Sequence, residues 1–159
     1  MVADRSVLGK KRILVIGASG SGKTSLITRL RGSTAPVRKT QALEFHDILV
    51  DSPGEYVQIP RLFFTVLCQV GDAQAVWVVQ DASSELATVP PGFARPFSHK
   101  AVGVITKIDR ADANISRAAK LLTVAGVPGP YYTVSVVTGE GIKELEELLN
   151  GRRHNLLQG

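Results

Sequence analysis

Cysteine is all but missing from this chain: Cys68 is the only one in 159 residues. No internal disulfide can form, and a reducing cytosol is the default compartment. Cys68 lies in an apolar run and is expected as a small core residue. Long apolar runs are missing as well. None approaches the roughly 20 residues needed to span a bilayer, so no membrane span is expected. Met1–Gly9 shows neither a signal-peptide h-region nor a lipidation mark. Acidic residues are scarce at one end: up to Lys39 the only one is Asp4, against nine basic side chains, within a net charge of +5. An anionic ligand accounts for part of this excess. Lys10-Lys11-Arg12 reads as a solvated charged edge, which makes nucleic acid the less favoured partner. No internal repeat or low-complexity segment divides the chain. Its length suits one domain burying roughly 70% of its unfolded surface, expected over residues 1–150 with a polar, disordered tail at 151–159.

What the chain does have is a glycine-rich turn in a telling place. Gly17-Ala18-Ser19-Gly20-Ser21-Gly22-Lys23-Thr24 follows the apolar run Ile13–Ile16 and precedes the amphipathic run beginning Ser25-Leu26-Ile27. Strand, loop and helix form the context in which G-x-x-x-x-G-K-[ST] marks a phosphate site. Glycines let successive N–H groups point inward at anionic oxygens, and the positive end of the next helix adds to that field. Lys23 is expected on the β- and γ-phosphates and the Thr24 hydroxyl on Mg²⁺.

The rest of the chain alternates strand and helix. Strands are predicted over Lys11–Ile16, Gln41–Phe45, Asp47–Asp51, Ala75–Gln80, Ala101–Thr106 and Tyr131–Val136. The first helix is predicted to end near Arg31 with Gly32 as its cap. A second covers Glu55–Val70, with Ile59, Leu62, Phe63, Val66 and Leu67 as its core stripe. A third runs from about Asn114 to Ala125, with Ile115, Ala119, Leu122 and Ala125 inward, and a last one over Ile142–Leu149 with Gly151 as cap. The Pro-rich stretch after Asp81 is expected to be a loop with one short helical turn near Phe93. Such alternation, with strands that are apolar throughout, implies an α/β fold: a mostly parallel six-stranded sheet in a three-layer P-loop arrangement. Ligands in these sheets sit at the carboxyl ends of the strands, where Gly17, Asp51, Asp81, Asp109 and Ser135 all fall. Asp51, closing a hydrophobic strand at Asp51-Ser52-Pro53-Gly54, stands where a carboxylate would hold Mg²⁺ through water.

Thr106-Lys107-Ile108-Asp109 resembles the base-reading motif of guanine-nucleotide-binding proteins. A carboxylate there accepts from the N1–H and 2-amino groups of guanine, donors that adenine does not present. The aliphatic stem of Lys107 can cover the base face. Ser135-Val136-Val137 stands where those proteins place a loop whose backbone N–H reaches guanine O6, with Val136 in place of the usual alanine. The order of motifs is similar to Ras-like GTPases over nearly the whole chain. That likeness makes Thr40 the threonine that closes on Mg²⁺ and the γ-phosphate, and Asp51–Gly54 the start of switch II. It thus implies GTP or GDP as ligand. Lys23, Thr40 and Glu55 are then the catalytic candidates, and Thr24, Thr40 and Asp51 the metal candidates. Gly17–Ser25, Gly54, Thr106, Lys107, Asp109, Ser135 and Val136 are the residues around the nucleotide.

The runs Lys39–Phe45, Asp51–Tyr56 and Val89–Ala94 narrow the resemblance to the small P-loop proteins of ethanolamine and propanediol utilization (EutP/PduV type). That resemblance implies a cytoplasmic bacterial protein with a microcompartment shell or enzyme as partner. Two departures qualify it. Only ten residues separate Thr40 from Asp51, a shorter connection than in Ras-like proteins. Glu55 also stands where many GTPases carry a water-orienting glutamine, and a carboxylate cannot donate to a phosphate oxygen. Slow hydrolysis, completed by a partner, is the expectation. The competing readings are an acetate kinase-type phosphotransferase using ATP or GTP, with Arg38, Lys39 or Arg61 as the basic group; an RNA- or ribosome-associated assembly GTPase; and a nucleotide-independent shell adaptor.

Overall fold

A computed structural model describes residues 12–32, 44–46 and 49–157. Its centre is the strand β1 (Ile13–Ile16), whose alternate side chains serve two different cores. Ile13 and Val15 pack with one cluster, and Leu14 and Ile16 with the other, because successive residues of a strand face opposite sides. A strand buried on both faces has no polar side to show, which is why the run is aliphatic throughout.

In chain order β1 is followed by helix α1 (Lys23–Leu30), β2 (Glu44–His46) and β3 (Leu49–Asp51). Next come the short helix α2 (Glu55–Gln58), a 3₁₀ turn (Pro60–Leu62), α3 (Phe63–Asp72) and β4 (Ala75–Asp81). A second 3₁₀ segment (Arg95–Lys100), β5 (Ala101–Thr106), α4 (Ile115–Val124), β6 (Tyr132–Thr133) and α5 (Ile142–Leu157) complete the order. The six strands form one sheet in the order β2-β3-β1-β4-β5-β6, antiparallel only between β2 and β3. The expected parallel-sheet α/β fold is the one observed. Among the described residues no helix is long and apolar enough to cross a membrane.

One core cluster joins β1, β3 and β4 to α3 and α4 through Val66, Val70, Ala118 and Leu122. The other joins the opposite face to α1 and α5 through Leu26, Ile27, Leu145 and Leu149, around the fully buried Trp77. Register then aligns the strand ends. Val15 lies opposite Asp51 on one side and Trp77 on the other, and Asp81 opposite Thr106. The residues after β1, β3, β4 and β5 therefore emerge at one edge.

Several expectations need correction. The helix expected over Glu55–Val70 is broken: Ile59 is extended (φ −109°, ψ 114°) because Pro60 follows it, and a new turn starts at the proline. Beyond the break the buried stripe is Val66 and Val70, while Phe64 and Leu67 face outward. Cys68 is exposed on that same outer side, not in the core. On α4 and its cap the inward residues are Ala118, Leu122 and Ala125, with Ala119 partly buried against the same core as expected and Ile115 outside. The strand expected over Tyr131–Val136 pairs only at Tyr132 and Thr133, since the Ser135 N–H turns away to the Glu140 carbonyl. Gly151 does not cap the last helix; it lacks the positive φ of such a cap, and the backbone stays helical through Leu157. The stretch expected as a disordered tail is to that extent an extension of α5. The Pro-rich segment after Asp81 is irregular as expected, with its short helix at Arg95–Lys100, slightly beyond Phe93.

Candidate functional site

The glycine-rich loop spans the gap between the end of β1 and the first turn of α1. Gly20 (φ 79°) and Gly22 (φ 97°) adopt conformations that side-chain-bearing residues avoid, and this lets the loop curl around its own amides. Gly22 is the residue before α1, and its carbonyl accepts from the Leu26 N–H. Lys23 folds back inside the curl. Its ammonium donates to the carbonyls of Gly17 (2.8 Å) and Ala18 (3.0 Å), and the side chain is almost fully buried. Burial pulls its pKa below the usual lysine value, against the opposing pull of the Asp51 and Glu55 carboxylates. Ser25 sits half-buried in the first turn of α1.

At the neighbouring strand end the Thr24 hydroxyl donates to Asp51 Oδ2 at 2.5 Å, and Asp51 is fully buried. Ser52 is tied to β1 through its hydroxyl on the Val15 carbonyl (2.7 Å). Gly54 then meets the loop: a Cβ there would run into the backbone of Ser19, so only glycine fits. Glu55 follows at the start of α2. One turn further, Gln58 Oε1 accepts from the Ser19 N–H at 3.4 Å.

On the opposite flank the residues after β5 grip the same loop. The Thr106 hydroxyl donates to the Ser21 carbonyl at 2.6 Å, and the Lys107 ammonium to the Gly20 carbonyl at 2.6 Å. Lys107 adopts a positive φ of 60°, a strained backbone for lysine, and pairs with Asp81 at 2.9 Å. Burial alone would raise the Asp81 pKa, yet hydrogen bonds from Lys107 and Ser83 outweigh it and hold the carboxyl below its usual range. Asp109 is exposed at the site, where its Oδ1 accepts from the Ser135 hydroxyl (2.8 Å). That hydroxyl in turn accepts from the Thr138 N–H at 3.0 Å. Val136 packs partly buried against the α1–α5 core.

The structure thus brings Gly17–Ser25, Asp51, Gly54, Glu55, Thr106, Lys107, Asp109, Ser135 and Val136 to one edge of the sheet. Thr40 lies outside the described residues, as do Arg38 and Lys39; Arg61 is exposed on the 3₁₀ turn after α2. Among the described residues no three His, Cys, Asp or Glu side chains cluster as a self-sufficient metal cage. A hydroxyl beside a buried carboxylate nevertheless fits Mg²⁺, which binds through one or two protein oxygens together with phosphate and water.

Three participants escaped the motifs. Gln58 is one. Gln80 and Thr88 are the others: the Ala18 N–H donates to Thr88 Oγ1 at 2.6 Å, and the Thr88 N–H to Gln80 Oε1 at 2.8 Å. A glutamine following the apolar run Ala75–Val79 was the one available signal, since a buried polar side chain requires a partner. Between α2 and this segment lies a cleft of about 480 Å³, lined by Ala18, Ser19, Val57, Gln58, Leu86 and Thr88 among others.

Residues 10–151 match the family model described as ethanolamine utilisation – propanediol utilisation (PduV-EutP). The chain is 32% identical over 148 residues to the "Propanediol utilization protein PduV" of Citrobacter freundii, covering 92% of this chain and 98% of that protein. It is 33% identical over 141 residues to the "Probable acetate kinase EutP" of Salmonella typhi, covering 87% and 89%. Among solved structures it resembles the bacterial selenocysteine-specific elongation factor EF-Sec (TM-score 0.61, 19% identity), covering 92% of this chain but 29% of that one. It also resembles the Methanosarcina barkeri Roco2 RocCORdC structure bound to GDP (TM-score 0.55, 17% identity), covering 88% and 47%. At these identities the structural likeness is one of fold.

Proposed function

The chain belongs to the ethanolamine utilisation–propanediol utilisation (PduV-EutP) family, and on that premise we propose that it binds GTP with Mg²⁺ and hydrolyses it slowly. The observation that carries this reading is the double clasp of Thr106 and Lys107 on the carbonyls of Ser21 and Gly20. It makes the phosphate loop and the segment bearing Asp109 one rigid unit, so that a nucleotide with its phosphates in the loop extends its base toward that carboxylate.

Bound Mg²⁺ would supply charge neutralisation between phosphates, held by Thr24 with Asp51 beside it. The chain's own part is positioning. Lys23, resting on the loop carbonyls with two of its three N–H donors, offers the third to a phosphate oxygen, and loop amides and the α1 dipole stabilise the charge that grows on the β–γ bridging oxygen. Water attacks the γ-phosphorus, the bond to the bridging oxygen breaks, and GDP and phosphate leave with the proton on phosphate. Glu55 can accept from that water but cannot donate to the phosphate and repels it, hence the slow rate. Thr40 completes the site when the γ-phosphate is present, and the resulting change of state is what a microcompartment or enzyme partner in the cytoplasm would read.

The cleft beside Ala18 and Ser19 favours a second reading, phosphotransfer to a small carboxylic acid. In that case the acid's oxygen replaces water as attacker. Equilibrium binding of GTP, GDP and ATP, with and without Mg²⁺, tests the first reading: tight Mg²⁺-dependent binding of GTP and GDP over ATP is expected, and a preference for ATP would overturn it. Trapping of acyl phosphate by hydroxylamine with acetate present separates the second, since hydrolysis alone releases only inorganic phosphate.

A further inference from the structure

We propose that Thr88 is a positioning residue for the phosphate loop, acting on Lys23 through the Gly17–Ala18 peptide. The proposal rests on the nucleotide reading of this site. A peptide unit is planar, so its carbonyl and its N–H turn together. In the Gly17–Ala18 unit the carbonyl accepts from the Lys23 ammonium at 2.8 Å, and the N–H donates to Thr88 Oγ1 at 2.6 Å. Turning this plane away from Thr88 removes the shorter of the two carbonyl contacts on which Lys23 rests. The hydroxyl therefore sets the direction from which the lysine meets phosphate.

Thr88 is itself held from behind. Its N–H donates to Gln80 Oε1 (2.8 Å), and Gln80 Nε2 donates to the carbonyls of Leu86 (3.0 Å) and Asp81 (3.2 Å). Gln80 is 1% and Thr88 4% exposed. The segment lies where an α/β unit would place a crossover helix, so a buried side-chain amide does the work that helix hydrogen bonds would do. β-Branching restricts the Thr88 rotamer and keeps the hydroxyl aimed. Space at the contact is short. A Cβ on Gly17 would meet the Val79 carbonyl at 2.8 Å, Ser21 Oγ at 2.9 Å and Thr88 Oγ1 at 3.1 Å.

Thr88→Val keeps the shape and removes the acceptor, whereas Thr88→Ser keeps the acceptor. Titration of the full chain with fluorescent GDP and GTP analogues and Mg²⁺ should show affinity falling about tenfold or more in Thr88→Val, with most of it regained in Thr88→Ser. Equal affinity of folded Thr88→Val and wild type overturns the strut and leaves the nucleotide reading standing. Failure of wild type to bind either nucleotide overturns both. Hydrogen exchange on wild type decides the matter if Thr88→Val does not fold. Peptides containing Gly17–Gly22 and Ser84–Pro90 should gain protection together when GDP binds, and protection of the first alone overturns the coupling.

Discussion

The two flanks of the phosphate loop are built differently. On the flank of β5, Thr106, Lys107 and Asp109 come from four consecutive residues, and four of their contacts are 2.9 Å or shorter. On the flank of β3 the contacts are spread along the chain: Asp51 at the strand end takes the Thr24 hydroxyl, and from the four-residue helix α2 Gln58 takes the Ser19 N–H at a longer 3.4 Å. A clasp made of charged and hydroxyl donors on backbone carbonyls is rigid. A glycine in van der Waals contact, followed by a helix broken at Pro60, moves at lower cost. The difference teaches what the proposed nucleotide reading requires: a first flank that would hold a ligand's base in register, and a second that would respond to its phosphates.

Asp109→Asn tests the rigid flank with the largest expected effect. Two charge-assisted hydrogen bonds to guanine are worth about 3–5 kcal/mol together, roughly two to four decades of affinity. Competition titration should show GTP binding lost by that factor and xanthosine triphosphate binding gained, because asparagine donates where guanine also donates. Unchanged GTP affinity would erase the distinction between the flanks. Gly54→Ala tests the other flank. The added methyl cannot share space with Ser19, so the segment leading into α2 must shift, at a cost of about 1–3 kcal/mol. Thermal melts should register this, and GTP affinity should fall more than GDP affinity.

Glu55→Gln sharpens the comparison on the chemical side. The carboxamide can donate to a phosphate oxygen and removes the repulsion, so basal turnover should stay level or rise by up to about tenfold. Single-turnover phosphate release is the measurement, and a large loss would make Glu55 a working base. Asp81→Asn gives the smallest effect and carries a pH signature. The Asp81 pKa is held below its ordinary 3.8 in the folded protein, so the unfolded chain takes up the proton first as pH falls. Its contribution is present above pH 3.8 and is lost as pH drops through the lower folded value. The group is partly solvated, which limits that contribution to about 1 kcal/mol or less. Urea melts of wild type and Asp81→Asn should differ at neutral pH and converge below pH 3.8. A gap that persists would mean Lys107 is held by its carbonyl contact alone.

The first flank was the more legible one for a physical reason. Its residues are contiguous, and a hydrogen-bonding code confined to a few positions survives as a motif. The loop was legible likewise, because positive φ at Gly20 and Gly22 demands glycine whatever surrounds it. Pro60 interrupts an apolar stripe of helical period, because a proline restricts the residue before it to extended backbone. Cys68 looked buried because its neighbours are apolar, but the helix turns it outward with Phe64 and Leu67. Gly151 looked like a stop, yet one glycine costs only about 1 kcal/mol in a helix and ends nothing unless its φ turns positive.

By itself the amino-acid order determined the alternation of strand and helix, the parallel sheet, the phosphate loop and the candidate residues at strand ends. Each of these follows from local rules of period, backbone freedom and hydrogen-bonding chemistry. Only the tertiary structure decided which peptide the Thr88 hydroxyl would reach, 70 residues away from its partner Ala18. It also decided that Gln80 would brace an irregular segment and that Gly54 would lie against Ser19. Those contacts depend on the register of β1, β3 and β4 and on the fold of a segment with no period of its own, and distance in space is not written in spacing along the chain.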